Sequence, residues 1–357
     1  MVSRRGGGTV AKAGVAALLV VGTVAAPLVA LLANPGPRSS VSAQSEVIVI
    51  EQAALTFGHG RNPYRALDRS PEFDRLEQIT QDHFPYLPLM TTLGVGRLLT
   101  TSAWGDLRVV VGLGWLLIAA ALAWRKQSAR SRFCVLLAAA GPVALFATTG
   151  GDDLVVVAAV LAGMAAAHSR SWVRAGLVLG VSLALKQTAW PVVAVSLLWL
   201  WKAHGWRVAA KVGSIATALA TAVVAPFLVW DFRAAWDDLV TFPLHGSHRE
   251  VVNSPTVGGL IAKALGLDES TLSRFMMVAI VVAIAVVMTR VSLPTVWHGA
   301  SVGAAALGAI VLLSPGVRPG LLIYPVVIVT WAVFEIREEK ATSTPPKRGA
   351  LGGPGRI

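Results

Sequence analysis

The hydrophobic positions of this chain fall into long unbroken blocks, with neither the alternation of strands nor the one-sided stripes of surface helices. Ala13 to Ala33 is the first block. It is long enough to cross a bilayer, because about 20 residues in a helix match a hydrocarbon core of roughly 30 Å. Further runs lie at 107–124, 133–149, 154–168, 175–186, 189–202, 208–230, 274–290, 297–314 and 319–334. The two that meet around Lys186 to Pro191 read equally as one broken or re-entrant helix. The pattern predicts an all-α, polytopic transmembrane helical bundle of about ten spans, within a range of about eight to eleven. Two longer polar stretches, 34–86 and 231–273, interrupt it. Residues 1–334 are therefore expected to form a single membrane domain. Residues 335–357, rich in Pro, Gly, Lys and Arg, read as a disordered basic tail in the cytoplasm.

Composition strengthens this picture. The chain is 55% hydrophobic and only 14% charged, whereas about a quarter of the residues of soluble domains are charged. The single cysteine, Cys134, excludes an intramolecular disulfide. A net charge of +12 in a soluble protein would suggest nucleic acid. Here the basic residues sit beside hydrophobic blocks, so no nucleic-acid partner is expected. The connections 125–132, 169–174 and 202–211 hold nine Lys/Arg and no Asp/Glu. Placed in the cytoplasm, they obey the positive-inside rule and leave 16 of the 19 acidic residues on the opposite face. The N-terminal block is longer than a signal h-region and lacks a clear cleavage site, so it is expected to remain as the first span. An even span number then puts both termini in the cytoplasm, in a multi-pass protein of the cytoplasmic membrane. No Walker loop, dinucleotide fingerprint, Cys/His metal spacing or nucleophile elbow is present.

Candidate chemistry gathers in five polar clusters on the predicted outer face. The first loop carries Glu46, Glu51, Asn62-Pro63-Tyr64 and Phe84-Pro85-Tyr86-Leu87-Pro88. The others are Gly150-Gly151-Asp152-Asp153, Lys186-Gln187-Thr188-Ala189-Trp190-Pro191, the 231–273 loop with His245, His248 and Arg249, and Ser314 to Pro319 with Arg318. Ionisable groups at a membrane are costly and point to function. A site built from distant loops over one membrane face suits a lipid-linked substrate. Each residue also has a structural reading. Asp152 or Asp153 can cap the following helix, and Lys186 can snorkel. The Pro-Tyr motifs can serve as turns and interface anchors, and the tryptophans as membrane belts. His245 and His248 are three apart but lack a fixed third ligand, so no metal site or cofactor is assigned, and metal dependence stays open.

Taken in order, Glu46-x15-Asn62-Pro63-Tyr64, Phe84-Pro85-Tyr86-Leu87-Pro88, Gly150-Gly151-Asp152-Asp153-Leu154, Leu185-Lys186-Gln187-Thr188-Ala189-Trp190-Pro191, Pro226-Phe227-Leu228-Val229-Trp230-Asp231 and Leu313-Ser314-Pro315 resemble the actinobacterial branch of glycosyltransferase family 87. The likeness runs from about residue 44 to 334. It implies a GT-C-type enzyme with a polyprenyl-phosphate sugar donor, mannose or arabinofuranose, and a lipid-linked or polymeric glycan acceptor. It also implies an early outer-loop carboxylate as general base. Glu46 stands where the family usually has Asp, and Val47-Ile48-Val49-Ile50 stands where a Tyr is common; Glu51 is the second candidate base. Donor-phosphate and substrate contacts are expected from Asp152, Asp153, Lys186, Gln187, Trp190, His245, His248, Arg249 and Arg318, with Tyr64 and Tyr86 positioning them. The alternative is a transporter or non-catalytic membrane scaffold that retains the fold.

Overall fold

The computed structural model describes residues 4–33, 43–76, 78–125, 136, 139–246, 257–266, 292–313 and 319–343, with isolated positions between 275 and 290. Among the described residues every regular element is helical. Helix α1 (Arg4–Val20) continues through a wide turn into α2 (Ala26–Ala33). It is followed by α3 (Ser45–Gly58), the short α4 (Gln78–Gln81) and α5 (Gly96–Leu99), then α6 (Leu107–Arg125), α7 (Pro142–Thr149) and α8 (Asp153–His168). Next come α9 (Trp172–Leu185), α10 (Trp190–His204), α11 (Trp206–Trp230) and the short α12 (Phe232–Trp236). The last three are α13 (Val257–Leu265), α14 (Val296–Leu313) and α15 (Ile323–Ser343).

Three of these stretches are long and apolar enough to cross a membrane: Gly14–Ala33, α11 and α14. The sequence suggests about ten. Polar breaks at Gly150–Asp152 and Lys186–Ala189 leave α8 and α9 as shorter apolar helices. The blocks at 133–149 and 274–290 fall partly outside the described residues.

The first polar stretch requires a correction. It contains α3, a helix buried on nearly every side, with Val47 to Ala54 all buried. A run of β-branched residues is a poor helix former in isolation. Enclosure supplies what propensity lacks, as expected for a helix apolar around its whole circumference. The chain around Gly94 packs directly onto it: a Cβ there would meet the Ile50 carbonyl at 2.7 Å and the Ala54 Cβ at 2.9 Å. The tail also differs from expectation. Helix α15 continues to Ser343, because Glu335, Arg337, Glu338, Glu339 and Lys340 are good helix formers. Residues 344–357 lie outside the described set.

Helix directions explain how one end of the bundle becomes polar. Helices α8 and α9 are joined by the tight turn Ser169–Ser171. Gly176 lies against Val212 and Ile215, and Gly180 against Ala216 and Leu219, so α9 runs parallel to α11. Gly213 faces Leu197, so α10 runs antiparallel to α11. The chain therefore reverses at Lys186–Ala189. The start of α8, the end of α9 and the end of α11 share one end of the bundle. The core beneath is filled by Trp297, Tyr324, Phe73, Phe84, Ile50 and Leu107.

Candidate active site at one end of the bundle

The site begins where α3 meets the end of α7. Gln44 donates its backbone N–H to the Thr149 carbonyl (3.0 Å) and its side-chain amide to Thr149 Oγ1 (3.1 Å). Gly150 follows in the left-handed region (φ 85°), and a Cβ there would fall 2.2 Å from Val47 Cγ2. Only glycine allows this close approach. Glu46 lies in the first turn of α3, half-buried, and accepts from the Ser45 hydroxyl at 3.1 Å. A carboxylate is well placed at a helix N-terminus, where unpaired N–H groups carry partial positive charge.

Lys186 is the hub. Its backbone is extended between α9 and a 3₁₀ turn. Its ammonium donates to Asp152 Oδ2 (3.1 Å) and Asp153 Oδ1 (2.6 Å) and sits 5.1 Å from the centre of the Tyr86 ring. Tyr324, at the start of α15, donates to Asp153 Oδ1 (2.7 Å) and accepts from Thr188 Oγ1 (2.6 Å). Burial in the turn before α8 pushes Asp152 up to about 7, with Lys186 pulling against that shift and Asp153 and Glu46 adding to it. Burial also disfavours the charge on Lys186, but Asp152 and Asp153 outweigh it and keep the ammonium protonated. Glu46 influences both groups, so its carboxylate belongs to the same electrostatic cluster.

The two Pro-Tyr motifs build the wall under Lys186. Tyr64 donates its hydroxyl to the Tyr86 carbonyl (2.7 Å), and its backbone N–H is held by Asn62 Oδ1 (3.0 Å). The Tyr64, Phe84 and Tyr86 rings pack in sequence, tilted and then edge-on, with centroids 5.5 and 5.4 Å apart. Asp238 ties this wall to the second polar stretch by accepting from the Phe84 N–H (2.8 Å) and sharing a hydrogen bond with His83 Nδ1 (2.7 Å). Burial pushes Asp238 up to about 6. Asp231 caps α12 through the Ala234 N–H (3.1 Å) and pairs with Arg65.

Glu51 belongs elsewhere. It is 2% exposed, and its oxygens accept from Arg97 Nε (2.9 Å) and the Leu107 N–H (2.7 Å). Asp106 completes this buried group with Arg97 (3.2 Å) and Arg108 (2.8 Å). Five residues along a helix turn the side chain by about 140°, which separates Glu51 from Glu46. Gln187 donates to the Leu239 carbonyl (3.3 Å), and Trp190, half-exposed, donates to the Leu183 carbonyl (3.2 Å). The side chain of His245 is not described, and His248, Arg249 and Arg318 lie outside the described residues.

The family model of glycosyltransferase family 87 matches residues 85–315, well over half of the chain. The chain belongs to glycosyltransferase family 87. A comparison with curated proteins finds no match. Among solved structures, the chain is similar to ArnT from Cupriavidus metallidurans, crystallised bound to undecaprenyl phosphate. The TM-score is 0.50 and the identity 18%, over 89% of this chain and 60% of ArnT. The likeness is one of fold, and the chain spans less than two thirds of ArnT's length. The family 87 match takes in Tyr86, Asp152, Asp153 and Lys186, whereas α3 with Glu46 lies before it and Tyr324 after it.

Sequence reasoning did not single out Tyr324, Thr188, Asp238 or the Arg97–Asp106–Arg108 group. The signal for the last was present: Asp106 and Arg108 open an otherwise apolar block. Tyr324 gives no such signal, because an aromatic near a span end reads first as an interface anchor.

Proposed function

We propose that this family 87 member transfers a sugar, mannose or arabinofuranose, from a polyprenyl-phosphate donor to a lipid-linked or polymeric glycan. The reaction takes place on the outer side of the cytoplasmic membrane. The observation that carries this reading is the meeting of Glu46, Asp152, Asp153, Lys186 and Tyr324 at one end of the bundle, from four separate parts of the chain. Glu46 is the general base: it removes the proton from an acceptor hydroxyl as that oxygen attacks the anomeric carbon. The bond to the phosphate oxygen breaks with its electron pair, and the configuration inverts. Lys186 offsets the charge on the departing phosphate, a role that the sequence also offers to Arg249 and Arg318. Burial raises Asp152 to about 7, so protonation near neutrality removes part of the negative charge that faces the leaving phosphate, while Lys186 stays charged. Gln187 and Trp190 border the donor, a role that the sequence also offers to His245 and His248, and Tyr64 and Tyr86 position Lys186.

A non-catalytic scaffold or transporter is the second reading. It is favoured by the engagement of Lys186 with two carboxylates. The deciding experiment incubates membranes containing the protein with radiolabelled polyprenyl-phosphate mannose or arabinofuranose. It compares wild type, Glu46→Gln and Glu51→Gln. Glu46→Gln is expected to lower kcat by about 100-fold or more at unchanged Tm. Glu51→Gln is expected to lower Tm instead, since it unbalances a buried ion group. Donor turnover that survives Glu46→Gln removes the assigned base, and absence of turnover in the wild type favours the scaffold.

A further inference from the structure

A cavity of about 440 Å³ lies against the Glu51–Leu55 part of α3 and is closed by residues of 70–75 and 97–108. That volume lies within the usual range of roughly 300–1,000 Å³ for small-molecule sites. Its walls combine apolar surface from Leu31 and Leu55 with the polar side chains of Gln52, Ser70, Arg97 and Asp106. Gln52 is 93% buried by its 7% exposure, donates Nε2 to Ser70 Oγ (3.1 Å), and leaves Oε1 buried without a partner. Turned the other way, the amide would leave its NH₂ unpaired. A buried orphan of this kind costs about 1–3 kcal/mol; because Gln52 also lines the cavity, a rotation of its amide would present the unpaired atom to a ligand group there and relieve that cost. A hydroxyl meets the requirement in either orientation, because it both donates and accepts.

The charges of the wall define the ligand further. Arg97 spends its donors on Glu51, Asp106 and the carbonyls of Thr101 and Ser102. Arg108 forks onto both oxygens of Asp106. The two arginines and two carboxylates balance, so an anion entering the cavity would find its inner cations already neutralised. Glu72 and Arg75 at the rim add one charge of each sign. The cavity also adjoins the proposed reaction centre. Arg108 lines it, while Arg108 Cγ lies 3.0 Å from where a Cβ of Gly150 would stand, at the turn leading to Asp152. Gln52 is six residues after Glu46, roughly 9 Å along the helix axis.

We infer that this cavity, with Gln52 as its selective hydrogen-bonding group, binds neutral sugar units of the acceptor glycan. The anionic donor binds separately, at the Lys186 cluster. The inference rests on the glycosyltransferase reading. Apolar patches such as Leu31 and Leu55 suit the C–H faces of sugar rings, and the paired arginines and carboxylates hold the wall rigid.

The test uses the full chain in nanodiscs and measures binding by titration calorimetry, so no transfer is needed. The probes are methyl mannobioside, methyl arabinofuranobioside and, as the anionic control, mannose 1-phosphate. At least one neutral disaccharide is expected to bind saturably at millimolar concentration. Gln52→Leu should weaken it tenfold or more, and Leu55→Trp, which fills the cavity, should abolish it. Gln52→Leu keeps the side-chain shape and removes an orphan, so its Tm should not fall. The inference is overturned if neither neutral disaccharide binds, if both variants bind as the wild type does, or if mannose 1-phosphate shows the Gln52-dependent binding. Loss of Glu46-dependent transfer with intact, Gln52-dependent disaccharide binding would defeat only the catalytic assignment.

Discussion

Replacing Lys186 with Met retains the length and apolar stem of the side chain and removes its charge. In the wild type the ammonium compensates Asp152 and Asp153, which are 1% and 8% exposed. It makes hydrogen bonds of 3.1 and 2.6 Å to them. Removing one partner of a buried ion pair typically costs about 3–5 kcal/mol. Asp152 takes up a proton readily, so the loss falls chiefly on Asp153, and about 3 kcal/mol, the lower end of that range, is expected. For a chain of this size such a loss lowers Tm by several degrees. Lys186→Met combined with Asp153→Asn should recover at least half of the loss, because the second change removes the charge that the first leaves uncompensated. The measurement is thermal unfolding of the four proteins of this cycle in the same detergent, followed by intrinsic tryptophan fluorescence. If Lys186→Met melts with the wild type, or if the double variant is no more stable than the single, then Lys186 and Asp153 are not coupled and the cluster does not hold the helix ends together.

Three other outcomes are expected. Asp152 has its folded pKa raised from 3.8 to about 7, so its contribution to stability is complete below pH 3.8 and is lost as pH rises towards about 7. The Tm difference between wild type and Asp152→Asn should therefore shift in favour of the variant across that window, and a pH-independent difference would contradict the assignment. Gly150→Ala places a methyl group into Val47 at a positive φ; a loss of about 2–4 kcal/mol in unfolding free energy is expected from left-handed strain plus overpacking. A Gly150→Ala protein as stable as the wild type would show that α3 does not need that approach. Tyr324→Phe deletes the hydroxyl shared by Asp153 and Thr188 and should cost about 1–2 kcal/mol. It should also reduce transfer through kcat more than through KM, and a pure KM effect would move Tyr324 from positioning the cluster to contacting substrate.

How much was legible in the sequence depends on the range of the interaction concerned. The hydrophobic blocks marked α6, α8, α9, α10, α11 and α14 to within a few residues, because burying a whole helix needs nothing beyond an apolar run. The motifs at 150–153 and 186–191 stood out because charges are expensive beside such runs, and the structure joins them directly through Lys186. Family membership was likewise carried by local order of motifs, and the family match confirms it. Helix α3 was hidden. Its Val47 to Ile50 run carries no helical period, and only neighbours enclosing it from all sides make helix the stable state. The division between the two candidate bases was equally invisible, since Glu46 and Glu51 are alike in a list of residues. The tertiary structure brought one within electrostatic reach of Lys186 and bonded the other to Arg97 and the Leu107 N–H. The sequence by itself therefore determined that this chain is a bundle of apolar helices with costly polar groups at their ends, because solvation free energy is a property of each residue. Which carboxylate meets which cation, where Tyr324 enters and where a neutral cavity remains were decided by packing, since they depend on residues up to 171 positions apart that only the fold brings into contact.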